Sequence, residues 1–203
     1  MSRYTGPRLR VVRALGVALP GLTTKTADKR DYPPGQHGQR QRKKSEYGIK
    51  LIEKQKLRYN YGVTETQIRR LMREAKAAKE QTGKKLLELL ERRIDNAVFR
   101  AGFAPTIVAA RQLVRHRHIL LNGKSINIPS IRVKTSDTLQ LTVKGAKIPC
   151  VMETLATPVL EAAEWIKRDA TTQIATVMHV PDASEVPFPI DIQHVVEYYA
   201  VRL

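Results

Sequence analysis

Across residues 111–129 the sequence RQLVRHRHILLNGKSINIP changes its hydrophobic period, and that change constrains the fold more than any other feature. Up to His116 the apolar residues recur at helical spacing, so Ile107, Ala110, Leu113 and Val114 share one arc. Beyond it, residues 119–121 and 124–128 flank Asn122-Gly123, a pair suited to positive φ at both central positions of a two-residue hairpin turn. A chain built this way docks a helix on antiparallel strands. The same stretch also carries Arg111, Arg115, His116, Arg117, His118 and Lys124. Its apolar residues make a platform, and its cations are what the platform presents.

The flanking sequence extends both patterns. Ser45 is expected to cap a helix reaching Tyr61. Thr64 to Gln67 carry a reciprocal capping pattern, followed by Ile68, Leu71, Met72 and Ala75 at helical spacing, with Gly83 as the stop. A longer helix over 84–101 buries Leu86, Leu90, Ile94, Ala97, Val98 and Ala101 and ends at Gly102. Thr106 caps the helix that runs to His116. Residues 131–133 and 139–143 alternate as strands about a Ser136-Asp137 turn. Further on, Thr157-Pro158 predicts a helix over 159–166, and 173–180 and 190–199 read as strands. The first 44 residues read as an irregular, extended basic arm, punctuated by Gly6-Pro7, Pro20-Gly21 and Pro33-Pro34-Gly35 and carrying the cluster RQRKK at 40–44. The class expected is α+β.

Charge narrows the partner. The chain has 36 Lys+Arg against 19 Asp+Glu, a formal net charge of +17 that works against a compact state unless a polyanion neutralises it. Residues 1–60 hold 15 basic and 4 acidic residues and 76–135 hold 13 and 4, whereas 136–203 hold 5 and 9. The first two-thirds therefore faces the polyanion, and the last third meets protein or solvent. No run approaches the ~18 apolar residues of a membrane span. The start is read as mature protein, without a cleavage site. The single cysteine, Cys150, excludes an internal disulfide or a thiolate zinc site.

On a continuous helix over 84–101, Arg92, Arg93, Asn96 and Arg100 form one stripe and Glu88, Glu91 and Asp95 its neighbour; Arg111 and Arg115 project together one helix later. Planar guanidinium groups match phosphate. Aromatic residues are only 5% of the chain and none lies in the strand segments 125–128, 131–133 or 139–143, so this sheet is not a base-stacking surface. Contacts to the backbone of folded RNA suit it better. A DNA-reading helix-turn-helix about Gly102 is the alternative. Catalysis fails on spacing: Gly123-Lys124-Ser125 lacks the first glycine of a phosphate loop, and His37, His116 and His118 lack triad or metal partners.

In the same order, RYTGP near the start, YPPGQHG at 32–38, EKQKLRYNYGVTE at 53–65, LLERRIDNAVFRAGF at 89–103 and ARQLVRHRHILLNGKSINIPS at 110–130 resemble the bacterial-type small-subunit ribosomal protein S-four family. The version Leu19-Pro20-Gly21-Leu22-Thr23 resembles its cyanobacterial or plastid branch. The resemblance implies a mostly helical domain formed by both ends of the chain, with an inserted RNA-binding module. The expected layout is an arm at 1–44, helices at 45–91, the module at 92–150 and a returning part at 151–203. It implies a non-enzymatic protein of a cytoplasmic or organellar ribosome that binds the five-prime domain of small-subunit ribosomal RNA early in assembly. It also implies a place beside the messenger RNA entrance channel, with Arg40 and Lys43 there, contact with ribosomal protein S-five through the C-terminal part, and an influence on decoding accuracy.

The RNA-contact set expected is Arg3, Arg8, Arg10, His37, Lys54, Lys56, Arg58, Arg92, Arg93, Asn96, Arg100, Arg111, Gln112, Arg115, His116, Arg117, His118, Asn122 and Lys124. No cofactor is expected. The N-terminal cysteine cluster that holds zinc in some family members is absent, so the arm is expected to be metal-free. Residues 148–188 depart from the family pattern. The module alone also occurs in RNA-modifying enzymes, so the arm and the GQHG and EKQKLRYNYG blocks carry the ribosomal expectation.

Overall fold

The computed structural model describes residues 4–40, 43–161, 163–169 and 171–201. Its helices are α1 (Arg8–Leu15), α2 (Glu46–Asn60), α3 (Glu65–Ala77), α4 (Thr82–Glu91), α5 (Ile94–Arg100), α6 (Ile107–Arg115), α7 (Val143–Ala146), α8 (Pro149–Ala156) and α9 (Ile192–Ala200). The strands are β1 (Ile119–Leu121), β2 (Lys124–Ser125), β3 (Thr138–Leu141), β4 (Ile166–Arg168) and β5 (Ile174–Val177). The class is α+β. Leu87–Pro187 form one compact unit; the residues up to Leu86, with those from Phe188 onward, form another.

In the unit that contains both chain ends, local chemistry sets the helix starts. The Ser45 hydroxyl accepts from the Gly48 N–H at 3.2 Å, and Thr64 with Gln67 forms the reciprocal capping box. Helix α3 buries Ile68, Leu71, Met72 and Ala75, the face its spacing predicts. Three expectations change. Residues 8–15 are helical rather than irregular, because Val11 and Val12 bury one side of α1. Gly83 is not a stop but the second residue of α4; a Cβ there would lie 3.1 Å from the Ile192 side chain, so the missing Cβ makes room for it.

The third change is residues 190–199, which are helix, not strand. The Asp191 carboxylate caps α9 by accepting from the N–H groups of Gln193 and His194, and Val195 and Tyr199, one turn apart, are buried. Packing against α2 overrides the β-branched and aromatic preference. The dock is polar as well: Lys50 pairs with Glu197 at 3.0 Å, Lys54 with Glu65 at 3.0 Å, and the Tyr199 hydroxyl donates to Glu65 at 2.8 Å.

In the other unit the hairpin forms as its Asn-Gly pair requires, with φ of 50° at Asn122 and 75° at Gly123. The sheet order is β2-β1-β3-β5-β4, every neighbouring pair antiparallel. Ile119, Leu139, Leu141, Ile166, Ala175 and Val177 are buried in this unit. Since β5 pairs with β3 and β4 with β5, the compact unit runs on to Pro187.

The expected helix over 84–101 is broken. The Val133 N–H donates to the Arg92 carbonyl and the Ile94 N–H to the Ile131 carbonyl, both at 2.8 Å, which holds Arg93 extended at ψ 138° between α4 and α5. The 131–133 strand reduces to that bridge, at Arg132. The predicted helix over 159–166 lies earlier in the chain: Pro149, not Pro158, occupies a first helical position, and Thr157 before Pro158 leaves the helical region, at φ −133° and ψ 88°, as sterics before proline favour.

Candidate nucleic-acid interface

The break after α4 redistributes the arginines. With Arg93 extended, its guanidinium meets Asp95 side-on, with Nε 3.1 Å from Oδ1 and Nη2 2.9 Å from Oδ2. Arg111, from α6, reaches the same carboxylate, Nε at 3.0 Å and Nη2 at 2.6 Å from Oδ2. Asp95 thus clamps two guanidinium groups while its own side chain is 1% exposed. Arg92 donates to Glu88 at 2.8 Å and to the Val133 carbonyl at 3.0 Å. Arg100 is buried, donates to the Glu185 carbonyl at 2.8 Å and stands 3.8 Å from Glu91. Asn96 donates to the Glu91 carbonyl at 3.0 Å and to its carboxylate at 2.9 Å.

In the protein alone, the residues of the expected phosphate face, Arg92, Arg93, Asn96, Arg100 and Arg111, all have partners within the chain. The acidic residues read as a neighbouring stripe are the partners of these groups. A buried guanidinium without a carboxylate or carbonyl would carry an uncompensated desolvation cost. Asn122 also has partners within the chain: its amide donates to Asp137 at 2.8 Å and its carbonyl oxygen accepts from the Thr138 N–H at 2.8 Å. It braces the hairpin.

The cations that protrude lie further along. Arg115, His116, Arg117 and Lys124 are exposed, as is Gln112, and among the described residues none of them forms an ion pair. Helix α6 starts at Thr106, whose hydroxyl accepts from the Ala109 N–H at 3.2 Å, so its last turn holds Arg115 at the end that favours positive charge. The rings of His116 and His118 stand 6.1 Å apart, and His118 is half-buried. Between this group and Lys124 runs β1, which as a three-residue strand is about 10 Å long. The sequence reading missed Lys134, exposed on the turn that Asn122 ties to the hairpin. Its signal was a basic residue in the polar link before β3.

In the other unit the expected contacts divide again. Lys54 is buried, paired with Glu65 and 5.0 Å from the Tyr198 ring centroid, and Lys56 is bonded to Glu53 at 2.6 Å. Both are held by carboxylates. Arg58 is half-buried, 5.5 Å from the Tyr59 ring centroid. Arg8 donates to the Leu22 carbonyl at 3.4 Å, while Arg10 is exposed. His37 is exposed in a turn, its carbonyl accepting from the Arg40 N–H at 3.1 Å; Arg40 and Lys43 are exposed. Arg3 lies outside the described residues, as do Gln41 and Arg42 of the basic cluster. Among the described residues no three His, Cys, Asp or Glu side chains gather as a metal site, and no helix is long and apolar enough to cross a membrane.

Comparison with known proteins bears on these same segments. Residues 3–91 match the ribosomal protein S4/S9 N-terminal domain, and residues 92–139 match the S4 domain. The chain is 62% identical over 205 residues to small ribosomal subunit protein uS4 of Methylobacillus flagellatus, with 100% of each chain covered. Identity is 56% over 205 residues to protein uS4B of Nitrosomonas europaea and 49% over 204 residues to uS4 of the cyanobacterium Crocosphaera subtropica, again with 100% of each chain covered. Two adjoining domain matches and end-to-end relatives at this identity place the chain in the small ribosomal subunit protein uS4 family.

Proposed function

We propose that the chain binds small-subunit ribosomal RNA as a structural, non-enzymatic constituent of the small ribosomal subunit, and that it does so through Arg115, His116, Arg117, Lys124 and Lys134. The observation that carries this reading is the sorting of charge. Arg92, Arg93, Arg100 and Arg111 have protein partners, whereas no side chain of the protruding group forms an ion pair among the described residues, and the group sits on a capped helix end and a braced hairpin. Cations held out on a rigid frame lose little freedom when a phosphate replaces their water, and each counterion they displace favours binding.

The finer role is proposed on the family's account. The RNA bound is the five-prime domain, the binding is early and nucleates assembly, and the less basic C-terminal part meets ribosomal protein S-five. Arg40 and Lys43 border the messenger entrance channel and influence decoding accuracy; their exposure agrees with that role. The layout of arm, module and returning part serves these contacts, and the ribosome is cytoplasmic or organellar. The test is titration with a transcript of the five-prime domain at several salt concentrations, beside duplex DNA of equal length. Tighter RNA binding, with log affinity falling linearly in log salt, is expected. Equal or tighter binding to the DNA would refute the reading.

A further inference from the structure

Two helices in the sheet-bearing unit end in the same six-residue motif. At the end of α5 the Phe103 N–H donates to the Val98 carbonyl at 3.1 Å and the Gly102 N–H to the Phe99 carbonyl at 2.9 Å. At the end of α6 the His118 N–H donates to the Leu113 carbonyl at 3.0 Å and the Arg117 N–H to the Val114 carbonyl at 3.0 Å. Both pairs are the crossed bonds that close a helix through one left-handed residue. In the first, that residue is Gly102 at φ 75°; in the second it is Arg117 at φ 62°.

The backbone does the same job at both sites, yet only one has the residue suited to it. Glycine adopts this conformation without a Cβ penalty, and a side chain there strains the turn. Among the described residues, the other positive-φ residues besides glycine are Asn122, Ser136 and Gln173. Asn122 repays its strain inside the protein through the Asp137 and Thr138 bonds. Arg117 has no such return: it is exposed and, among the described residues, has no side-chain hydrogen bond or ion pair. Strain that earns no internal contact points to a role outside the fold.

From this contrast we infer that Arg117 is a strained RNA-contact residue, a guanidinium launched from a helix-closing turn and kept at a glycine position because it grips phosphate. The turn aims it. With the N–H groups of Arg117 and His118 both tied to α6, and the His118 carbonyl accepting from the Thr142 N–H at 2.9 Å, the Cα–Cβ direction of Arg117 has little freedom. It therefore leaves the chain at a set angle, from the residue between His116 and His118 and two residues beyond the exposed Arg115. The inference rests on the RNA-binding reading above.

The experiment compares Arg117→Gly, Arg117→Ala and Arg117→Lys in the full chain, measuring both thermal midpoint and affinity for a five-prime-domain transcript. Arg117→Gly relieves the strain and removes the cation, so the midpoint rises by about 1–3 °C while the salt slope of RNA binding falls by about one. Arg117→Ala loses the same binding without the gain in midpoint, and Arg117→Lys keeps the slope and the wild-type midpoint. Arg117→Gly binding RNA like the wild type, or failing to melt higher, overturns the inference. Wild-type protein showing no salt-dependent RNA binding would overturn the functional reading instead, and is distinguished by needing no variant.

Discussion

Arg111 and Arg115 lie one helical turn apart and look alike in sequence, yet the structure predicts opposite consequences for reversing their charges. The Arg111 side chain is 14% exposed and bonded twice to Asp95, itself 1% exposed. Arg111→Glu removes that partner and sets a second carboxylate beside the first. Breaking a buried pair costs about 3–5 kcal/mol, and Arg93 still holds Asp95, so the low end, about 3 kcal/mol, is expected. At a urea dependence of about 1–3 kcal/mol per molar, the unfolding midpoint falls by about 1–3 M. Arg115 is exposed and without an ion pair among the described residues, so Arg115→Glu shifts stability by no more than about 0.5 kcal/mol. It nevertheless weakens RNA binding and lowers the salt slope by about one or more. Urea unfolding followed by circular dichroism, with filter binding across a salt series, reads both quantities. An Arg111→Glu protein that unfolds at the wild-type midpoint, or an Arg115→Glu protein that keeps full RNA affinity, would refute the division into internal and presented arginines.

Three further outcomes follow from the geometry. Gly102→Ala forces a side chain into φ 75° with its Cβ 3.0 Å from the Arg168 guanidinium, and should cost about 1–2 kcal/mol, measured as a lower thermal midpoint. Asn122→Ala removes bonds to Asp137 and Thr138 while keeping the left-handed backbone, and should cost about 1–3 kcal/mol, with faster amide exchange at Thr138. For Glu65, burial opposes ionisation, but hydrogen bonds from Lys54 and Tyr199 and the Lys54 charge outweigh it and hold the carboxyl below its ordinary value. A depressed carboxyl stabilises the fold above its unfolded pKa of about 4.3 and loses that contribution as pH falls through the folded value. Glu65→Gln should therefore flatten the acid side of the stability profile below about pH 4.3, as seen in urea midpoints across that range.

What the residues alone determined was whatever depends on neighbours in sequence. Caps at Ser45, Thr64 and Thr106 and the hairpin at Asn122-Gly123 were legible because a hydroxyl or a positive-φ pair acts within a few residues. The family was legible too, since its blocks are local strings in a set order. Helix α9 was misread because β-branched and aromatic residues favour strand locally, while its fate is set by α2, which lies far away in sequence. The break at Arg93 was invisible for the same reason, as no glycine or proline marks it and the cause is backbone pairing with residues 131–133. That one break also decided the site. Turning Arg93 out of helix brings it, with Arg111, onto Asp95, so arginines that sequence spacing offers to RNA become internal partners of buried carboxylates. Spacing tells which side chains share a face of a straight helix. Whether that face meets solvent or a buried acid depends on chain brought back from elsewhere, and desolvation then requires each buried guanidinium to be paired.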